Sequence, residues 1–215
     1  MKNLILKELR LNVKWPLYVM SLVGAMMAIP NYLIIVAFGY CIFQVFIYMQ
    51  YVRENHSQEF STVLPVKRSD IVRSTVCIIC LLQMLTVTVA VLFAIVARFV
   101  FPEGNVVGLD PNFTFFGVGF LCLAVFNAVF LPKFFKTGYK FGVPILLGLL
   151  CFMLTYGVAE TLVQTIPTLT NALDSYNTDT IWARLVILCV GIITYVLTIL
   201  LATKVSVKKF EHVNL

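Results

Sequence analysis

Charge is the first thing this chain has little of. Only 12% of its 215 residues are Asp, Glu, Lys or Arg, against about 25% in an ordinary soluble domain, and that excludes a water-soluble globular protein. Glycine and proline number only 11 and 8, which excludes collagen-like and linker-rich architectures, and 60% hydrophobic content excludes disorder. Histidine occurs twice, as His56 and His212, and neither has a second imidazole in its own segment. No histidine-based hydrolase and no multi-histidine metal site can be assembled from them. No G-x-x-x-x-G-K-[ST] run occurs, and Gly138 and Gly142, the glycines beside cytosolic lysines, lack its spacing and hydroxyl. The chain therefore has no P-loop cradle for ATP phosphates. Cys41, Cys77, Cys80, Cys122, Cys151 and Cys189 all lie in apolar stretches, where a thiol behaves as a small hydrophobe. The Cys77–Cys80 pair has Ile78 and Ile79 between its thiols and no further ligands nearby, so it reads as core rather than as a metal or redox site.

What is present is long apolar runs, with a mean hydropathy of +0.95. At about 20 residues per crossing, the chain is an all-α integral membrane protein with no room for a sizeable soluble domain. Six spans are expected, at about 15–29, 32–52, 74–97, 111–132, 141–164 and 185–203. The first two form a hairpin, because the uncharged run from Trp15 to Val52 is too long for one crossing and Pro30-Asn31 near its middle turns the chain. The whole of 1–215 is then one transmembrane domain. Residues 1–14 lack a signal-peptide core and are expected to persist as an interfacial helix, with Ile5, Leu6, Leu9 and Val13 on its apolar face and Lys7, Arg10 and Lys14 beside them.

Sidedness follows from the basic residues, since cytoplasmic loops are enriched in Lys and Arg. With the N-terminus inside, Lys2, Lys7, Arg10, Lys14, Arg53, Lys67, Arg68, Arg73, Lys133, Lys136, Lys140, Lys204, Lys208 and Lys209 share one side. Only Arg98 and Arg184 of the 16 basic residues fall outside, next to Glu103, Asp110, Asp174 and Asp179. Both termini are therefore expected in the cytosol. This dispersal into short loops also removes the case for nucleic-acid binding that a net charge of +6 would otherwise make.

Two sets of residues stand out. In the inner segment 53–73, Asn55 and Gln58 form a weak capping box, Phe60, Val63 and Leu64 lie at i, i+3 and i+4, and Pro65 stops the pattern. Ser69 with Asp70 is the expected start of span three. An apolar helical face in the cytosol needs a cover, either the membrane surface or another protein. Inside the spans, Tyr40, Gln44, Tyr48 and Tyr51 share a face of span two. Gln83 and Thr86 share one in span three, and Tyr156, Glu160 and Gln164 follow at i, i+4 and i+8 in span five. These stripes mark either a route between two subunits or interfacial anchoring and snorkelling. Asn127 in span four is expected to bond across helices, and Thr194, Thr198 and Ala202 to pack as small residues.

The run Thr62-Val-Leu-Pro-Val-Lys-Arg-Ser-Asp-Ile-Val72 resembles the L-P-[VS]-x-R-x-x-I-V signature of small bacterial permeases of the ABC-2 transporter type. Leu131-Pro-Lys-Phe-Phe-Lys-Thr-Gly-Tyr-Lys140 is similar to the segment joining spans four and five in that family. The basic tail from Ser206 to Leu215 is similar to its ending. The resemblance covers essentially the whole chain, departing at Arg73-Ser74-Thr75, where the family often carries Lys-Tyr. It implies a half-transporter of the bacterial plasma membrane in which two six-helix permeases, as a homodimer or with a close paralogue, pair in the bilayer. A separate cytosolic ATPase would carry the ATP and Mg. Docking would run through Glu59, Phe60, Val63, Leu64, Pro65 and Arg68, and amphipathic or antimicrobial peptides are the implied cargo. A secondary transporter and a non-transporting scaffold or immunity protein remain the alternatives. The former would place ionisable residues near the midplane, and no span carries one there.

Overall fold

The computed structural model describes residues 1–100, 105, 107–137, 140–175 and 178–213. Among them every regular element is helical. The α-helices in chain order are α1 (Lys2–Leu11), α2 (Trp15–Ser21), α3 (Val36–Glu54), α4 (Ser57–Val63), α5 (Arg68–Val100), α6 (Phe113–Lys136), α7 (Gly142–Thr165), α8 (Pro167–Leu173) and α9 (Ile181–Glu211), with 3-10 turns at Leu22–Ala28 and Thr178–Thr180. Four of them, α5, α6, α7 and α9, are long and apolar enough to cross a membrane.

The core is organised around α6. Most of its apolar stretch, 78%, is buried inside the chain, against 17% for α9 and 28% for α7. The inner helix owes its place to side chains: Phe126, Phe130 and Phe134 recur every fourth residue, so their rings stack at 5.3 and 5.5 Å along one face. Phe135 then meets Phe210 of α9 edge-on at 5.7 Å. At the other end of α6 the Asn112 side chain accepts from the Thr114 and Phe115 amides at 2.9 and 3.1 Å, satisfying donors that a helix start leaves open. Where α6 crosses α9, Gly117 and Gly191 face each other so closely that a side chain on either would strike the other helix's backbone.

The hairpin from Trp15 to Glu54 differs from two regular spans. After seven α-helical residues the chain tightens into a 3-10 turn, Leu22–Ala28. At 1.5 and 2.0 Å per residue the two pieces extend about 25 Å, less than the ~30 Å hydrocarbon core. The tightening accompanies a close approach: a Cβ at Gly24 would lie 2.6 Å from the Ala90 nitrogen and 2.8 Å from the Thr86 oxygen, so this segment runs directly on the backbone of α5. The reversal follows, with Asn31 in the left-handed region at φ 54°, and α3 returns beside α2.

Other boundaries move for local reasons. Pro132, expected to end span four, lies inside α6, which continues to Lys136. The proline removes one backbone bond, but aromatic packing on both sides of it holds the helix, as membrane helices allow. Ser69 is not a cap, because α5 already begins at Arg68. Helix α9 starts before residue 185 and runs beyond 203 to Glu211, and the short α8 at the end of α7 was not expected. The Pro167 ring sits in its first turn, where a missing N–H costs nothing.

The two ends of the bundle are chemically distinct. At one, α1, α4, the start of α5 and the last turns of α6 and α9 converge. At the other, the Asn31 turn, Asn105, the segment 107–112 and α8 converge, with the Asn105 side chain donating to the Tyr32 carbonyl at 2.9 Å and Asn112 to the Leu173 carbonyl at 2.8 Å. The exposed rings of Trp15 and Trp182 mark opposite ends.

Candidate coupling site and polar interior

Helix α4 has its faces reversed relative to a helix packed on an apolar core. Ser57, Gln58 and Ser61 are buried, while Phe60 and Val63 are 58% and 86% exposed. The reversal arises because α4 rests on a polar neighbour, α1. Leu64 is half-buried in extended conformation and ends the helix just before the exposed Pro65. Glu59 is exposed and lies 2.8 Å from Nδ1 of His56. His56, in the left-handed region at φ 46°, is the residue before α4. Asn55 therefore does not cap α4; its amide donates instead to the Leu11 carbonyl and to Asn12 Oδ1, both at 3.0 Å. Arg68 leaves the apolar face altogether. Its guanidinium donates to the carbonyls of Phe210, Glu211 and Val213 at 3.3, 3.0 and 3.0 Å. Those carbonyls lie in the last turn of α9 and just beyond it, where a cation also suits the helix dipole.

The link between α1 and α4 is a buried carboxylate. Glu8 accepts from Tyr48 Oη at 2.9 Å, Asn12 Nδ2 at 2.5 Å and Ser57 Oγ at 3.1 Å, and Lys7 Nζ lies 3.1 Å away. Lys7 also donates to the Ser57 carbonyl at 2.9 Å and to Ser61 Oγ at 2.5 Å. The buried face of α1 is therefore Leu4, Glu8 and Asn12, whereas Leu6, expected on the apolar face, is exposed and Lys7 turns inward. Sequence reasoning missed Glu8. The available signal was its position: it is the one acid among four basic residues in 1–14, four residues from both Leu4 and Asn12.

The polar residues of the spans divide into two groups. Gln44 donates to the Leu17 carbonyl and to Ser21 Oγ, both at 2.7 Å, and accepts from Thr86 at 3.1 Å. Gln83 and Asn127 exchange amide bonds at 3.0 and 3.3 Å, and Tyr195 donates to Gln83 at 2.8 Å. With Tyr48 on Glu8, Gln44, Tyr48, Gln83 and Thr86 are fully buried and hydrogen-bonded within this chain. Tyr40, by contrast, is partly exposed, Glu160 is half-buried, and Gln164 is exposed and donates to Glu160 at 3.4 Å. Tyr156 is buried beneath Gly108. Tyr51 is half-buried with Lys14 over its ring at 4.6 Å.

At the opposite end Asp110 accepts from the Asn105 amide at 2.5 Å, and its own N–H donates to Asp174 at 2.7 Å. Burial pushes the Asp110 carboxyl up to about 6, the Asn105 bond partly offsets this, and the Asp174 charge adds to the rise. Burial raises Asp174 as well. A raised acid favours the closed loop when protonated, so this contribution is present at low pH and lost as pH rises through about 6. Between pH 7 and pH 5, protection factors of amides in 107–112 are expected to rise about tenfold by hydrogen exchange. Asp110→Asn is expected to abolish that change; an unaltered pH response in the variant would assign it elsewhere.

A family model described as ABC-2 family transporter protein matches residues 3–211. The chain belongs to the ABC-2 transporter family. It is accordingly a multi-pass membrane permease, a transport component without a catalytic site of its own, of a family that works in the bilayer with a cytosolic ATPase. No curated protein and no solved structure matches it. Membership agrees with the resemblance carried by Thr62–Val72. That stretch contains the end of α4, the Pro65 break and the start of α5, the geometry that holds α4 beside the bundle.

Proposed function

We propose that this permease is one half of an exporter in the bacterial plasma membrane. Two copies, or this chain and a close paralogue, form the pathway, and a separate ATPase with its own ATP and Mg docks on α4. The hairpin from Trp15 to Glu54 supplies the first two of six crossings, and both termini lie on the ATPase side. Amphipathic peptides, antimicrobial peptides among them, are the proposed cargo. The observation that carries the docking assignment is the exposure of Phe60 and Val63 on a helix whose Ser57, Gln58 and Ser61 point inward. Water does not favour that arrangement, and a partner covering those two side chains does. Force on α4 would pass through Pro65 into α5 and through Glu8 and Tyr48 into α1 and α3.

The test is co-purification of the co-expressed ATPase with permease variants. Truncating an anchor residue in a desolvated interface costs about 2 kcal/mol, so Phe60→Ala is expected to weaken association about thirtyfold at 1.4 kcal/mol per decade. Val63→Asp is expected to weaken it at least as much. Wild-type recovery of the ATPase, and wild-type export, with both correctly inserted variants would remove α4 from the docking role.

A further inference from the structure

Beside the first turn of α4 a half-open cleft is floored by Met49 and Phe141 and rimmed by Arg53, His56, Gln58 and Glu59. We infer that this cleft receives a carboxylate side chain of the docked ATPase, an inference that rests on the docking reading above. Three features of the cleft ask for an anion. Gln58 is almost wholly buried, yet its Nε2 has no hydrogen-bond partner, and a buried donor left without a partner is unfavourable until something accepts from it. The Arg53 guanidinium lies over the Phe141 ring, 5.1 Å from its centroid, on an exposed side chain. Among the described residues no carboxylate lies within 4.0 Å of it. The one acid on the rim, Glu59, is engaged with His56. Guanidinium and carboxylate match as bidentate partners, and the apolar floor strengthens the pairing by excluding water.

The place of the cleft selects a protein carboxylate over a lipid phosphate. His56, Glu59, Phe60 and Val63 follow at i, i+3, i+4 and i+7, so the rim continues the exposed apolar face of α4 without a break. A partner that covers Phe60 and Val63 brings its next residues over the cleft. The surface is then an apolar patch with a basic socket at one end, and it fits an ATPase groove with an acidic residue beside the pocket for Phe60.

The experiment uses the full permease and its co-expressed ATPase. Arg53→Glu is expected to weaken association at least tenfold and Gln58→Leu several-fold, while the melting temperature stays within a few degrees of wild type, because Arg53 gives the fold a single exposed cation–π contact and Gln58 Nε2 gives it no hydrogen bond. In the Arg53→Lys complex a zero-length carbodiimide should couple the new amine to an Asp or Glu of the ATPase, mapped by mass spectrometry, with no such product from Arg53→Ala. Full association of Arg53→Glu, or coupling at position 53 only to a lipid carboxyl or to this chain's own acids, overturns the inference. In that case loss of ATPase from Phe60→Ala would still uphold the docking reading. No ATPase bound even to the wild type overturns both.

Discussion

Replacing Glu8 by alanine is expected to cost about 3–5 kcal/mol, the range for removing one partner of a buried charged cluster. The substitution removes the acceptor that Tyr48, Asn12, Ser57 and Lys7 share, leaving the bonds of Lys7 and Asn12 to Ser57 and of Lys7 to Ser61 to tie α1 to α4. Those groups come from α1, α3 and α4 and from the α1–α2 junction, and the carboxylate is the point at which all of them meet. At about 2–4 °C per kcal/mol for a chain of this size, the melting temperature should fall by roughly 6–20 °C. Trp15, exposed just after α1, gives a fluorescence signal for the release of that helix. Glu8→Gln keeps one acceptor oxygen and should lie between the two. Export should fall further than ATPase binding, because the exposed face of α4 survives while its support is lost. A melting temperature within a degree or two of wild type would show that α1 is held by its apolar contacts alone.

Leucine at position 191 is expected to prevent the long helices from assembling. A Cβ there would strike the Gly117 carbonyl oxygen, and the Gly117 carbonyl carbon and Cα lie only 2.9 and 3.0 Å from it. The reciprocal Cβ on Gly117 would sit 2.7 Å from both carbonyl atoms of Ile187. Every obstacle is backbone, which cannot rotate aside, so α6 and α9 would have to separate. Overpacking of this kind costs about 1–3 kcal/mol for one methyl group, the expectation for Gly191→Ala. Gly191→Leu should be recovered as aggregated or protease-sensitive protein. Gly157→Ala is the internal control: nothing lies within 4 Å of its added methyl, and relief of chain entropy should leave stability equal or about 0.5–1 kcal/mol higher. If Gly191→Leu elutes as a monodisperse, thermostable protein, the close crossing does not hold α6 against α9.

Much of the molecule is legible from its composition and spacing. Scarce charge and long apolar runs placed it in the membrane, and the bounds expected for spans four and five fall within a few residues of α6 and α7, because twenty apolar residues in lipid have few alternatives to helix. The L-P-V-K-R-S-D-I-V run carried the family. Hydrophobic spacing also identified Phe60 and Val63 as one face of a short helix. Those properties are local, set by neighbours three and four residues away.

Partnership is not local, and there the tertiary structure decided. Gln44 and Tyr48 lie one helical turn apart on α3 and look equivalent in the sequence, yet Gln44 meets Ser21 and Thr86 while Tyr48 meets Glu8, 40 residues away. Arg68 looks like a neighbour of the apolar face of α4, and its guanidinium reaches the end of α9, 142 to 145 residues on. Ile5, Leu9 and Val13 of the α1 stripe do pack inward, but Leu6 is turned out, and Asn55, sound as a cap by local rules, bonds Leu11 and Asn12 instead. A polar group in a low-dielectric interior must find a partner, and the sequence states that need; only the packing of α1, α3, α4, α5 and α9 determines which partner is within reach.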